Sequence, residues 1–179
     1  MLSEPLPSTL DVRKAAVRGV SIRGALKPLD LQRFRALLAD DNGVIQAQLS
    51  FTRDEENRHI IQLAVTAEVV VTCQRCLEPL SKNLACDNTL AVVWTDEQAA
   101  QLPRHLEPLI VEEEACRLWD VVEDELILAL PAFSYHTTEE CQQTLARFNA
   151  GQAPAEEPAA SEKPNPFNVL AQLKPGSKT

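Results

Sequence analysis

The chain has 179 residues, 45% of them hydrophobic, enough for one domain with a real core and a tail. A net charge of −9 weighs against a protein that binds nucleic acid over its whole surface, because phosphate neutralisation supplies most of that affinity. No apolar run is long enough to cross a membrane, the five glycines form no phosphate-cradling loop, and residues 1–7 lack the features of a secretion signal, so a cytoplasmic protein is expected.

Residues 8–11 (Ser-Thr-Leu-Asp) can cap a short helix reaching about Val17, with Asp11 near its positive end and Gly19 as its stop. Residues 20–24 read as a short strand. Residues 29–38 read as a helix with Leu31, Phe34, Leu37 and Leu38 on one face and Arg33 and Arg35 outward. Ile45, Ala47, Leu49 and Phe51 then alternate with Gln46, Gln48, Ser50 and Thr52, the period of a half-buried strand. Residues 54–57 make a turn, and Ile61, Leu63, Val65, Ala67, Val69 and Val71 repeat the alternation. Leu84, Cys86, Leu90, Val92 and Trp94 keep that parity, which predicts an antiparallel meander with Cys86 on its core face.

Residues 96–100 start a short helix that Pro103 ends, and 109–111 suit a further strand. Residues 118–130 predict the strongest helix, with Leu118, Val122, Leu126 and Ala129 inward, Asp120, Glu123 and Asp124 opposite, and Pro131 as its stop. From about Gln142 order fades. The expectation is therefore an α+β domain over 1–145, an antiparallel β-meander, open or barrel-like, with flanking helices. A disordered Pro/Ala/Glu linker follows at 146–163, then a short C-terminal motif at 164–179. In that motif Asn165 can cap, and Pro166 open, a short helix carrying Phe167, Leu170 and Leu173.

Charge is unevenly spread. Residues 1–38 hold seven basic against three acidic side chains, whereas 107–141 hold ten acids and only Arg117. One end of the chain can approach RNA while the other suits a basic protein, and both can equally be ordinary solvated faces.

Cys73 and Cys76 stand three positions apart at the tip of the second hairpin, a spacing that lets two thiolates reach one Zn²⁺. His136 and Cys141, just past the long helix, are the best second pair, giving a structural Cys73, Cys76, His136, Cys141 site. His105 and Cys116 are an alternative second half, and metal-free, merely packed cysteines are another. A Cys73–Cys76 redox couple is a third, although such couples normally sit at a helix N-terminus, and here a strand precedes and Pro79 follows. No nucleophile elbow occurs, and Asp120, Glu123, Asp124 and Glu125 read as a solvated helix face rather than a Mg²⁺ site, so the chain reads as a non-enzyme. The Phe167 helix has the form of a helix-in-groove ligand, or of a cap folding back on its own domain.

The run 71–77 (Val-Thr-Cys-Gln-Arg-Cys-Leu), the helix before Pro131, His136 with Cys141, and 163–170 (Lys-Pro-Asn-Pro-Phe-Asn-Val-Leu) occur in that order. Together they resemble the YceD family, the large ribosomal RNA subunit accumulation proteins, from about Leu6 to Lys174. The resemblance implies a role in making, processing or stabilising 23S ribosomal RNA during large-subunit assembly, with no established catalytic residue. Many relatives carry a more cysteine-rich stretch after the long helix, where this chain has only His136 and Cys141. On this reading Arg13, Lys14, Arg18, Arg23, Arg33 and Arg35 meet ribosomal RNA, and the acidic band faces a basic ribosomal protein or assembly factor. The alternative is a protein-only adaptor that acts indirectly through the acidic surface and Phe167, Leu170 and Leu173.

Overall fold

The structure is a computed structural model that describes residues 4–112 and 115–150. In chain order it contains β1 (Thr9–Leu10), α1 (Val12–Arg18), β2 (Ser21–Leu26), a 3-10 turn (Pro28–Asp30), α2 (Gln32–Arg35), β3 (Gly43–Arg53) and β4 (His59–Thr72). There follow β5 (Pro79–Val93), α3 (Asp96–Ala100), β6 (Glu107–Ile110), β7 (Cys116–Arg117), α4 (Leu118–Ala129) and α5 (Thr138–Ala150).

Asp11 caps α1, its Oδ1 accepting from the Lys14 N–H at 2.9 Å, and Gly19 closes it at φ 64° by donating back to Ala15 and Ala16. Residues 9 and 10 stay out of the helix because they pair with Arg117 and Cys116 of β7.

The alternating runs form the expected meander, β3–β4–β5, paired antiparallel over long registers (Gly43↔Val69 to Arg53↔His59, then His59↔Val92 to Thr72↔Pro79). Two further strands extend it to the order β2-β3-β4-β5-β6. The sheet stays open and is not a barrel. The chain crosses over through α3 and adds β6 parallel to β5, so β2 and β6 end as separate edges. The β2 edge is partly covered by the N-terminal segment, where Ala25 N–H donates to Glu4 O at 2.9 Å and Leu6 N–H to Ala25 O at 3.3 Å. Gly24 permits this approach, since a Cβ there would lie 2.6 Å from the Leu6 backbone.

One face of the sheet is the core. Ile45, Leu49, Phe51, Ile61, Leu63 and Val65 lie buried with Val12 and Ala15 of α1, Phe34 of α2 and Leu118, Val122 and Leu126 of α4. Cys86 is half-buried against that core, as its parity predicts.

The sequence reading of one helix over 29–38 is corrected. Asp30 turns back to accept from the Lys27 N–H, leaving Leu31 extended (φ −116°, ψ 92°), so the helix restarts and lasts only one turn. Leu31 and Phe34 are buried all the same, but Leu37 is exposed. A second correction concerns residues 142–150, which are helical. α5 runs from Thr138 to Ala150, opened by a capping box in which Thr137 Oγ1 accepts from Glu140 N–H and Glu140 Oε2 from Thr137 N–H.

α4 also differs in its polar face, because Glu123 and Glu125 are buried. Asn88 Nδ2 donates to both Glu125 oxygens, at 3.2 and 3.3 Å, and to Glu107 at 2.7 Å. Burial raises the Glu125 pKa; the Asn88 bond opposes that, and the neighbouring Glu107 and Asp124 charges add to it. A carboxyl whose pKa is higher folded than unfolded loses stability as pH rises from about 4.5 through the raised folded value. Glu125→Gln is therefore expected to raise Tm at pH 7 in scanning calorimetry, and the gain should vanish in acid, where both states are protonated. A Tm unchanged or lowered at pH 7 would contradict this account.

Candidate functional site

The β4–β5 turn brings Cys73 and Cys76 to the tip of a knuckle. Cys73 N–H donates to Glu78 O and Leu77 N–H to Cys73 O, both at 2.9 Å, and Leu77 takes the left-handed conformation at φ 62°. The knuckle docks on the segment after α4, with Gln74 N–H donating to Ser134 O at 3.0 Å and the Gln74 side-chain oxygen accepting from Ser134 N–H. The Arg75 guanidinium lies 5.1 Å from the Tyr135 ring centroid.

These contacts assemble four ligand atoms from Cys73, Cys76, His136 and Cys141, all within 4.8 Å of one another. Cys73 and Cys141 are wholly buried and Cys76 nearly so. Cys73 Sγ lies 3.6 Å from Cys141 Sγ, and Cys76 Sγ 3.3 Å from His136 Nδ1. The sulfurs are too far apart for a disulfide, whose bond is about 2.05 Å. They stand close to the ~3.8 Å that two thiolates adopt on a tetrahedral Zn²⁺ with Zn–S near 2.3 Å. His136 Nε2 sits 3.0 Å from Pro79 O, and a proton on that nitrogen leaves Nδ1 free to ligate. The donor set, its spacing and this outer hydrogen bond all fit a metal ion. His105 is exposed and, with Cys116, takes no part in the cluster.

Burial pushes the Cys73 thiol up, but N–H groups of Cys76, His136 and Arg75 aimed at its sulfur outweigh that and lower it to about 5. Cys141 goes the other way, to about 11, through burial and the neighbouring Cys73 and Cys76 sulfurs. One sulfur is thus prepared as a thiolate by the backbone, whereas another needs a cation beside it to ionise.

The basic candidates separate by surroundings. Arg33 is drawn into the fold, with Nε donating to Glu123 at 2.8 Å and an Nη to Asp124 at 2.7 Å. Arg35 pairs with Asp41. Arg23 stands exposed on β2, opposite Gln48. Arg13, Lys14 and Arg18 of α1 line a surface recess of about 660 Å³ at the far end of the sheet. Arg53 from the end of β3, His59 from the start of β4 and Trp94 just past β5 complete it. Neither Arg53 nor His59 stands out in the sequence, where Trp94 only continues the parity of the third strand. β4 separates this recess from the cysteine knuckle by its 14 residues, roughly 45 Å of extended chain. Phe167, Leu170 and Leu173 lie outside the described residues, and no described helix is long and apolar enough to cross a membrane.

A family model described as large ribosomal RNA subunit accumulation protein YceD matches residues 61–174. A Haemophilus influenzae protein of that description is 36% identical over 170 residues, covering 94% of this chain and 96% of the relative. No solved structure matches.

Proposed function

Because the chain belongs to the YceD family of large ribosomal RNA subunit accumulation proteins, we propose that it supports the synthesis, processing or stability of 23S ribosomal RNA. It does so as a cytoplasmic, non-enzymatic factor in large-subunit assembly. The observation that carries direct RNA contact is α1: Val12, Ala15 and Ala16 are buried, which leaves Arg13, Lys14 and Arg18 together on its outer side. Cations grouped on one face of a short helix suit contact with a phosphate backbone and make binding salt-dependent, although Lys14 is also held by Asp11 at 2.8 Å.

Arg33 and Arg35 contribute less on this reading, since carboxylates already hold them. The adaptor alternative is weakened in the same way, because Glu123 and Glu125 of its acidic surface are buried inside the fold. Cys73, Cys76, His136 and Cys141 would hold a structural Zn²⁺, which would cross-link the hairpin tip to the N-terminal end of α5.

Changing Arg13, Lys14 and Arg18 together to Glu is expected to reduce in-cell ultraviolet cross-linking to 23S precursor at least tenfold. Undiminished cross-linking would remove α1 from the interface. An empty library from the unmodified protein, still co-sedimenting with large-subunit precursors, would favour the adaptor.

A further inference from the structure

The recess beside α1 sets an aromatic ring among several cations. The Arg13 guanidinium lies 4.0 Å from the Trp94 ring centroid, and His59 meets Trp94 edge-on at 5.7 Å between centroids. Lys14, Arg18 and Arg53 stand around the stack, and no carboxylate lines the recess. Among the described residues neither Arg18 nor Arg53 has an ion pair. Burial, and then the Arg53 and Arg13 charges, lower the His59 pKa. The Trp94 backbone is fixed from behind, its main-chain N–H donating to Gln98 Oε1 of α3 at 2.9 Å.

We infer that this recess is a binding site for single-stranded RNA, in which one unpaired nucleobase joins the Arg13–Trp94 stack while Arg18 and Arg53 take the flanking phosphates. The inference rests on the reading that the α1 surface contacts RNA, and adds to it the state of that RNA. A planar cation already lying against an indole is the pattern on which bases stack. A duplex cannot offer such a contact, because its base faces are covered by their neighbours. Arg18 and Arg53, which carry no ion pair among the described residues, supply the phosphate side of the site, with Lys14 beside them held by Asp11 at 2.8 Å. The volume of about 660 Å³ is that of a site for a small ligand or one nucleotide rather than a folded domain.

The test uses the full chain and a fluorescein-labelled ten-nucleotide oligoadenylate, alone and annealed to oligouridylate. Fluorescence polarisation should show tighter binding of the single strand. Trp94→Ala should weaken that binding by roughly fivefold to a hundredfold, the range for one base–aromatic stack, and Trp94→Phe should keep most of it. Unlabelled oligoadenylate should quench the tryptophan emission of the unmodified protein. Quenching should be lost in Trp94→Phe, which retains only Trp119, so the site remains testable should Trp94→Ala not fold.

Equal or tighter duplex binding, an unchanged affinity in Trp94→Ala, or no quenching would overturn the inference. So would displacement of the RNA by poly-glutamate as readily as by oligoadenylate, which would mark a site for any polyanion. Should the Arg13, Lys14 and Arg18 charge reversal abolish binding while Trp94→Ala leaves it intact, only the stacking site falls. Should neither RNA bind, the reading beneath it falls as well.

Discussion

Cys141→Ser is expected to release one equivalent of zinc per chain and to cost roughly 4 kcal/mol of stability, the effect of removing a cross-link that closes about sixty residues. The magnitude follows from topology. Cys76 and His136 are 60 positions apart, so the cluster removes a large loop entropy from the unfolded chain, and metal binding at ligands preassembled only in the fold is folding free energy. The sheet and α4 have their own core and should survive, so the loss should appear first in α5 and the 131–137 segment, as faster amide exchange there. A chelator should reproduce the effect on the unmodified protein. Metal retention should fall as pH falls, because protons compete for the thiolates. Elemental analysis of the purified chain and urea unfolding of the variant are the measurements. A chain that carries no metal, ignores chelators and loses under about 1 kcal/mol in Cys141→Ser would return the four side chains to the packed, metal-free alternative.

What the sequence could show, and what it could not, divides along a physical line. Strict alternation over 45–51 and 61–71 admits only a strand buried on one face, so the meander and even the parity of Cys86 were legible. The metal candidates were legible too, because ligand chemistry restricts the choice to few residue types and His136 and Cys141 follow a helix of predictable length. α5 was missed although its capping box, Thr137 to Glu140, stands in the sequence, because the helix is polar for most of its length and is held by one buried cysteine. The α1 recess could not be found this way. Arg13, Arg53, His59 and Trp94 converge only because three strands end together, and nothing local in the chain marks that. Glu123 failed for the opposite reason: a periodic reading sends every carboxylate to solvent, whereas this one serves a neighbouring helix.

That service makes Glu123→Ala the second large expected effect, about 3 kcal/mol of stability. α2 is a single turn with no side chain of its own to cap it, and its start packs against α4. Glu123 Oε1 accepts from the backbone N–H groups of Arg33 at 2.7 Å and of Phe34 at 3.1 Å, and Oε2 accepts from Arg33 Nε at 2.8 Å. Removing the carboxylate strands the Phe34 N–H beside a side chain with no exposed surface, where water cannot readily replace the lost acceptor. Arg33→Ala should cost far less, under about 1 kcal/mol, because its side chain is half-exposed and the backbone bonds remain. Glu123→Gln should fall between, since an amide oxygen still accepts. Burial alone would raise the Glu123 pKa, but the Phe34 and Arg33 donors outweigh it and lower it. The contribution is therefore full above the unfolded value of about 4.5 and is lost as pH falls through the lower folded value, so the gap between Glu123→Ala and the unmodified chain should narrow in acid. Urea unfolding of the three variants at pH 7 and at pH 3.5 decides it. Equal losses in Arg33→Ala and Glu123→Ala would mean that the exposed ion pair, and not the cap on α2, carries the stabilisation.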